Sequence, residues 1–319
     1  MDDNLEIRPF LSDDTESAVM IYNELYPDMA TTLEEKRHVD SNKFENADLH
    51  RWMVEIDGEI IGLFEYEHDL WDYHPKRLEI NIEVLPALQG KGIGTSLYEH
   101  LMGKITHKDP DTLTSWIRDN HPRNSIFLKD RGFRETYRQA FSTLDLAKWS
   151  YDEDLDMSRQ LESAGIEIVD LDEFRSVPDW ERKLYDLDKS VSVDIPCVTS
   201  VPEFDFWKKD VLGSKTIVPK GYLIAVKDGM AIGTSNIFRM KNEEAMDIGL
   251  TAVRREFRRM GIATTLKIRA MAYAKKIGVK ILTTCNDENN GSILSINRRL
   301  GFVRGSDFVN FRKDIRPSG

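Results

Sequence analysis

The sequence predicts a mixed α/β protein made of two tandem copies of one domain, at residues 1–150 and 151–319. The main observation is an internal repeat, in which a strand-like run, a glycine turn and an amphipathic helix recur at a constant offset. A second observation is a pair of hairpin patterns upstream of the two glycine turns. The matched positions, each pair 169 residues apart, are Val84 and Val253, Gly92 and Gly261, Leu97 and Leu266, and Gly132 and Gly301.

Each predicted hairpin turns on an Asp-Gly pair, Asp57-Gly58 in the first copy and Asp228-Gly229 in the second. The two central residues of the tightest hairpin turns need positive φ, which this pair tolerates well. Both pairs lie between apolar runs, so we expect a strand on each side. The expected strands are Trp52–Ile56, Ile60–Tyr66, Tyr222–Val226 and Ala231–Ile237.

The other elements are predicted in the same order in both copies: strand, one or two helices, hairpin, strand, glycine turn, helix, strand, helix and strand. We expect the linker near Trp149–Met157, where an acidic stretch interrupts the apolar pattern. In the second copy the expected strands are Ile166–Val169, Met246–Val253, Lys280–Cys285 and Asp307–Phe311, and the expected helices lie near Trp180–Leu187, near Glu203–Val211, after Gly261 and at Ser292–Leu300.

Composition excludes several classes of protein. The chain has 44 Lys and Arg against 55 Asp and Glu, a net charge of −11, which argues against general nucleic-acid binding. The first 150 residues carry 17 basic and 29 acidic side chains, whereas the remainder carries 27 and 26. No apolar run approaches the ~18 residues that span a bilayer, so we expect no membrane partner. Two cysteines without a C-x-x-C pattern favour the reducing cytoplasm.

The histidines restrict the chemistry, because all seven lie in the first half. A self-contained Ser-His-Asp or Cys-His site in the second half is therefore excluded, and Cys285 is expected to be a buried strand cysteine. One metal-like group, containing His68, Asp69, Asp72 and His74, lacks helical ligand spacing, so we predict no metal site.

The two glycine turns are candidate anion sites. A helix that begins at a glycine leaves its first backbone N–H groups unpaired, and the helix dipole adds positive potential. A tight turn without any ligand would produce the same pattern. A P-loop is excluded because Lys91 is followed by Gly92, and a dinucleotide fingerprint is excluded because its third glycine is absent.

The turns do fit the pattern [QR]-x-x-G-x-[GA], with Gln89, Gly92 and Gly94 in the first copy and Arg258, Gly261 and Ala263 in the second. Together with the later Gly-Phe pairs, they resemble the GNAT acetyltransferase superfamily in two copies. The second copy resembles it more closely, through Thr251–Val253, Thr284–Asp287, Asn290 and Ile296–Phe302. The resemblance implies two mostly antiparallel sheets, each with a splayed central pair of parallel strands and flanking helices.

The resemblance also implies acetyl-CoA as cofactor. Its phosphates would need cations beside the turn, and the second copy has four nearby arginines whereas the first has Lys91. We therefore expect the second copy to be the productive one, although such arginines are also common on solvated surfaces. The expected cofactor-binding residues are Val84, Gln89, Gly90, Lys91, Gly92, Ile93, Gly94 and Thr95 in the first copy, and Ala252, Val253, Arg254, Arg255, Arg258, Arg259, Met260, Gly261, Ile262, Ala263, Thr264, Asn290 and Asn297 in the second.

Catalytic residues are carried over from the superfamily by position. The glutamate base found in many members, eleven residues before the [QR] position, is Asp247 in the second copy and Leu78 in the first. The tyrosine acid found in many members, four residues before the Gly-Phe glycine, is Asn297 or Leu128. An amide donates a hydrogen bond but no proton at neutral pH, so the general acid stays unassigned.

The predicted function is transfer of an acetyl group from acetyl-CoA to a primary amine of a small molecule by direct attack. The alternative is an acyl-CoA-binding sensor or structural module without catalysis, which the missing tyrosine favours. The sequence leaves open the identity of the amine, the role of the first copy and the oligomeric state.

Overall fold

The computed structural model describes residues 4–42, 47–71, 73–195, 198 and 201–315 as two compact units. The first unit extends to Tyr137 and resumes at Phe308, and the second spans Arg138–Asp307. This division differs from the expected boundary between residues 150 and 151, because the last strand of each repeat belongs to the other unit. A sequence repeat marks the duplicated segment, whereas a compact unit is defined by which strands pair.

The sheet of the first unit has the order β1-β2-β3-β4-β5-β13. Its neighbours are antiparallel except β4 and β5, which are parallel. The strands are β1 (Leu5–Pro9), β2 (Leu49–Ile56), β3 (Glu59–Glu67), β4 (Arg77–Val84), β5 (Thr112–Arg118) and β13 (Phe308–Asp314), and the helices are α1 (Thr15–Leu25), α2 (Leu33–Ser41), α3 (Ile93–Ile105) and α4 (Pro122–Lys129).

The sheet of the second unit repeats this arrangement in the order β7-β8-β9-β10-β11-β6, with β12 also paired to β6. Only β10 and β11 are parallel neighbours among these six strands. The strands are β6 (Arg134–Asp145), β7 (Ile166–Asp170), β8 (Leu223–Lys227), β9 (Met230–Arg239), β10 (Ala245–Val253), β11 (Ile281–Asp287) and β12 (Val303–Arg304), and the helices are α5 (Ser158–Ser163), α6 (Leu171–Phe174), α7 (Trp180–Ser192), α8 (Phe204–Trp207), α9 (Ile262–Lys276) and α10 (Gly291–Arg299).

Both predicted hairpins are confirmed. Asp57 and Gly58 have φ of 52° and 79°, and Asp228 and Gly229 have φ of 49° and 72°. These left-handed values match the right-handed twist of the flanking strands. The two short helices α5 and α6 were not predicted, because four to six residues carry too little periodicity to distinguish a helix from a turn.

Each unit has its own apolar core. In the first unit α3 packs Leu97 and Leu101 onto β3 and β4, and in the second α9 packs Leu266 and Met271 onto β9 and β10. The opposite face of the first sheet is covered by α1, which buries Ala18 and Ile21 against β2 and β3. The predicted mixed α/β class, with a central parallel pair in each half, is therefore confirmed.

Candidate functional site: two glycine turns beside splayed strands

The first unit contains an open cleft between its two parallel strands. β4 pairs with β5 only over Arg77–Glu79, so beyond that point the strands separate. A cavity of about 360 Å³ occupies the gap, bounded by β4, β5, the glycine turn and α4. Its lining includes Tyr26, Glu83, Gly92, Tyr98, Trp116 and Leu128.

The glycine turn of the first unit is exposed to this cleft. Gly92 is the N-cap of α3 with φ of +89°, and it provides no side-chain cap. Among the described residues other than its two chain neighbours, no atom lies within 4 Å of the position that a Cβ on Gly92 would take. Gln89 ties the turn to the end of β4, because its Nε2 donates to the Val84 carbonyl oxygen at 2.9 Å. The first amides of α3 therefore face a space that an anion can enter.

The structure adds two cations to this turn that sequence proximity did not indicate. Arg123, on the first turn of α4, places Nη1 2.7 Å from the position of a Cβ on Gly90. Arg131 donates from Nη2 to Thr95 Oγ1 at 2.9 Å. Both residues lie about thirty or more positions after the turn in the sequence, so only the fold brings them to it.

The second turn has the same backbone but is covered. Gly261 is the N-cap of α9 with φ of +81°, and Arg258 Nε donates to the Val253 carbonyl oxygen at 3.0 Å, as Gln89 does in the first unit. A Cβ on Gly261 would lie only 2.5 Å from Met157 Sδ. The Met157 backbone N–H also donates to Thr265 Oγ1 at 3.1 Å. The linker therefore lies directly on this turn.

The arginines of the second turn are largely engaged within the protein. Arg255 and Arg258 both donate to Asp194, and these bonds lower the pKa of that carboxyl to about 2. Arg254 donates from Nε to the Ala231 carbonyl oxygen at 2.9 Å. Among the described residues, no hydrogen bond of this kind is found for Arg259. This residue is equivalent to Gly90 in the first unit and has φ of +65°. Asp194 thus neutralises one of the four positive charges, and three of the four guanidinium groups already hold hydrogen bonds within the protein.

The predicted catalytic residues of the second unit belong to a buried polar network. Lys267 Nζ donates to Asn297 Oδ1 at 2.6 Å, and Asn297 Nδ2 donates to Asn286 Oδ1 at 2.7 Å. Asp247 accepts from Thr283 Oγ1, and burial raises its pKa to about 6. Burial lowers the pKa of Lys267 to about 7. Asn290, an expected cofactor-binding residue, caps α10 by accepting from the Ile293 N–H at 3.3 Å.

Glu83 is the cleft residue that the sequence did not identify. It is 4% exposed on β4, six residues before Gln89 rather than eleven, whereas the expected position holds the core residue Leu78. Burial and the nearby Glu65 carboxylate raise the pKa of Glu83 to about 7. Asn81 Nδ2 donates to Glu83 Oε1 at 3.3 Å. The polar alternation of Asn81 and Glu83 on one strand face was the sequence pattern that could have indicated it.

The remaining sequence candidates are the cysteines and the group of histidine and aspartate side chains that contains His68. Cys285 is half-buried on β11, with Sγ 3.3 Å from Gln139 Oε1. Among the described residues, no three His, Cys, Asp or Glu side chains are placed to hold a metal ion. His68 Nδ1 accepts from the Asp48 N–H at 3.0 Å, and Asp72 and Cys197 lie outside the described residues.

A sheet whose central parallel strands part beside a glycine turn at a helix N-terminus, present twice, defines a tandem acyltransferase fold. The chain belongs to the acetyltransferase (GNAT) family, whose model matches residues 16–133 and again 183–302. Members of this family generally transfer acyl groups and bind acyl-CoA, and tandem members include non-catalytic proteins.

Solved structures support the tandem arrangement. The chain is similar to a tandem GNAT protein from the clavulanic acid biosynthesis pathway, determined without AcCoA, with a TM-score of 0.74, 18% identity and coverage of 99% of this chain and 100% of that one. It is also similar to a fungal GCN5-related glucosamine N-acetyltransferase region, with a TM-score of 0.71, 13% identity and coverage of 97% of this chain and 38% of that one. A third similar structure is a GCN5-related N-acetyltransferase from Sphaerobacter thermophilus, with a TM-score of 0.68, 20% identity and coverage of 99% of this chain and 98% of that one.

Two further comparisons complete the description. No curated protein matches the sequence. Within the described residues, none of the helices combines the length and apolar character that a membrane crossing requires.

Proposed function

We propose that this protein is an acetyl-CoA-dependent N-acetyltransferase that works at the cleft of the first unit and acetylates a primary amine of a small molecule. The observation that carries this proposal is the difference between the two turns. Gly92 opens onto a cavity, whereas Gly261 is covered by Met157. The sequence favoured the second repeat because of its arginines, but the geometry favours the first.

The first unit provides the contacts that a CoA diphosphate requires. The open amides of Ile93 and Gly94 begin α3, and Lys91 and Arg123 lie beside them. Backbone amides and cations together are a strong anion site. The pantetheine arm would extend between β4 and β5, where the strands have separated and Ile82 and Val84 line the cavity. The other expected contacts, Gln89, Gly90, Gly92 and Thr95, lie at the same turn.

The chemistry requires a base for the attacking amine, because an alkylamine is mostly protonated at neutral pH. Glu83 lies in the cleft wall and, with its raised pKa, accepts a proton in the pH range where such a base is effective. Tyr26 and Trp116 also line the cavity. A cavity that has a buried acid and aromatic rings in its lining suits an amine that arrives as a cation. We propose the cytoplasm as the compartment, in line with a sequence that has only two cysteines and no C-x-x-C pattern.

The second candidate function is an acyl-CoA-binding sensor without turnover. Leu128 favours it, because this residue replaces the tyrosine that many family members use as the general acid. The two functions share the binding site and differ in whether an amine is consumed. Release of free thiol from acetyl-CoA, measured over a panel of small amines, separates them: sustained release supports the enzyme, and tight binding without release supports the sensor.

A matched pair of substitutions tests which unit binds acetyl-CoA. Thr95→Glu and Thr264→Glu place a carboxylate at equivalent positions in the first turn of α3 and α9, where an acidic side chain favours the helix by ~0.3–1 kcal/mol. Near a diphosphate the same carboxylate is repulsive, by about 3 kcal/mol per charge at 5 Å and an effective dielectric constant of 20. We expect calorimetry to show one site per chain, weakened on the order of 100-fold by Thr95→Glu alone. Weakening by Thr264→Glu instead would place the site in the second unit.

A further inference from the structure

The proposed acetyl transfer leaves the departing thiolate of CoA without a proton donor. Leu128 occupies the position at which the family resemblance would put a tyrosine, and its buried side chain is apolar. The cleft nevertheless contains a phenol on another element. Tyr98, on α3, lines the cavity and stacks edge-on against Phe127, the neighbour of Leu128, with ring centroids 6.1 Å apart.

The hydrogen bond made by Tyr98 leaves its own proton available. Lys313 Nζ lies 3.1 Å from the Tyr98 hydroxyl oxygen. An ammonium group can only donate, so the phenol oxygen is the acceptor in this bond. Within the described residues, no acceptor for the Tyr98 proton is found. A phenol that accepts from a cation and still carries its hydrogen can donate that hydrogen to a neighbouring atom.

The second unit shows where a side chain at this helix position reaches. The repeat equates Tyr98 with Lys267 and Leu128 with Asn297. In the second unit these two positions are in direct contact, with Lys267 Nζ 2.6 Å from Asn297 Oδ1. Lysine and tyrosine have side chains of similar length. The polar end of residue 98 can therefore lie close to the side chain of residue 128.

We propose that Tyr98 is the general acid of this acyltransferase and that Lys313 positions it and restores its proton. This inference rests on the proposed function. As the amine nitrogen bonds to the acyl carbon, the carbon–sulfur bond breaks and the electron pair leaves with sulfur. The Tyr98 hydroxyl gives its proton to that sulfur, Glu83 accepts the proton lost by nitrogen, and the Lys313 ammonium reprotonates the tyrosinate. The neutral lysine then recovers a proton from water.

The test removes the phenol oxygen of Tyr98 and then introduces a phenol at position 128, where the family resemblance would put a tyrosine. Tyr98→Phe keeps the ring, and we expect it to lower kcat about 100-fold, in the range for loss of a general acid, with a KM for acetyl-CoA within about threefold. Adding Leu128→Tyr to this variant should restore most of kcat. Tyr151→Phe, at an exposed tyrosine of the second unit, is the matched control and should keep the wild-type rate. Lys313→Met should lower kcat, and Lys313→Arg should recover part of it.

Several outcomes would overturn the assignment. An unchanged kcat for Tyr98→Phe, a loss confined to KM, or a loss that Leu128→Tyr does not reverse would each do so. Failure of the wild-type protein to release thiol from acetyl-CoA with any amine would instead count against the proposed function.

A second measurement needs no turnover, because it follows the ionisation of the thiol of bound CoA by its ultraviolet absorbance. The charged groups beside Tyr98 are Lys313 and Arg131, whose guanidinium carbon is 5.1 Å from the Tyr98 ring centroid. Both remain in Tyr98→Phe. We expect this variant to raise the thiol pKa by loss of the hydrogen bond, and an identical titration would refute contact between Tyr98 and the sulfur.

Discussion

Replacing Glu83 by glutamine should make the protein more stable and inactive at the same time. Glutamine has the same shape and keeps an oxygen that can accept from Asn81 Nδ2, but it never ionises. Glu83 is 4% exposed, and burial followed by the Glu65 charge raises its pKa from 4.5 to about 7. The folded state therefore resists ionisation of this side chain, and the substitution removes that cost.

The sign and size follow from the two pKa values. Below pH 4.5 the carboxyl is neutral in both the folded and the unfolded state, and its titration costs nothing. Between pH 4.5 and 7 the unfolded chain loses the proton first, so the free energy of unfolding of the wild type falls. The difference of about 2.5 pKa units corresponds to about 3 kcal/mol, lost in full above pH 7.

Urea unfolding of both proteins at pH 5 and pH 8.5 measures this effect. We expect the advantage of Glu83→Gln over the wild type to be larger at pH 8.5 by about 2 to 3 kcal/mol. Buried carboxylates that do not interact with Glu83 titrate equally in both proteins and cancel in the difference. Glu24→Gln, at an exposed glutamate of α1, should change stability by less than about 0.5 kcal/mol at either pH.

Activity supplies the second half of this prediction. The wild-type rate should rise with pH as Glu83 loses its proton near pH 7, and Glu83→Gln should lower kcat by about 100-fold or more. An advantage of the variant that is equal at the two pH values would show that Glu83 is ionised when folded. Wild-type activity in the variant would show that another group is the base.

Three further substitutions have defined outcomes. Gly62→Ala puts a Cβ 2.3 Å from the Glu83 carbonyl oxygen, so we expect thermal unfolding several degrees lower and weaker acetyl-CoA binding through distortion of β4. Lys267→Met should raise the free energy of unfolding more at pH 6 than at pH 10.5. The reason is that the folded state disfavours the buried ammonium group, which is charged in the unfolded chain only below the ordinary lysine pKa of 10.5. An equal effect of the substitution at the two pH values in urea titrations would contradict this. Met157→Ala uncovers the second turn but leaves Asp194 on its arginines, so calorimetry should still find one acetyl-CoA per chain.

The sequence was sufficient for the fold because the relevant patterns are local. The Asp57-Gly58 and Asp228-Gly229 turns, the alternating strands and the glycine before each long helix all depend on residues a few positions apart. The assignment of β6 and β13 to units could not be obtained in this way. It depends on which strand edge each one pairs with, and both edges accept a strand of similar composition.

The site was less predictable because its charges come from distant parts of the chain. Counting basic residues beside the turns favoured the second repeat, but Asp194 lies more than sixty positions before Arg255 and Arg258 and pairs with both. Arg123 reaches the first turn from α4. Glu83 escaped notice because the position rule pointed to Leu78, which the register of β4 places in the core.

The glycine motif itself reports on the backbone more directly than on a ligand. Gly92 and Gly261 both have φ near +85°, a conformation that a residue with a side chain adopts only with strain. The path from strand to helix needs this conformation whether or not an anion binds. The second unit shows that the backbone motif and an open turn are separate features. It has the glycine, the helix and the hydrogen bond from Arg258 to the Val253 carbonyl oxygen, yet Met157 covers the turn. The features that set the proposed binding turn apart from the second one are the open space beside Gly92 and the position of Arg123, which only the folded chain reveals.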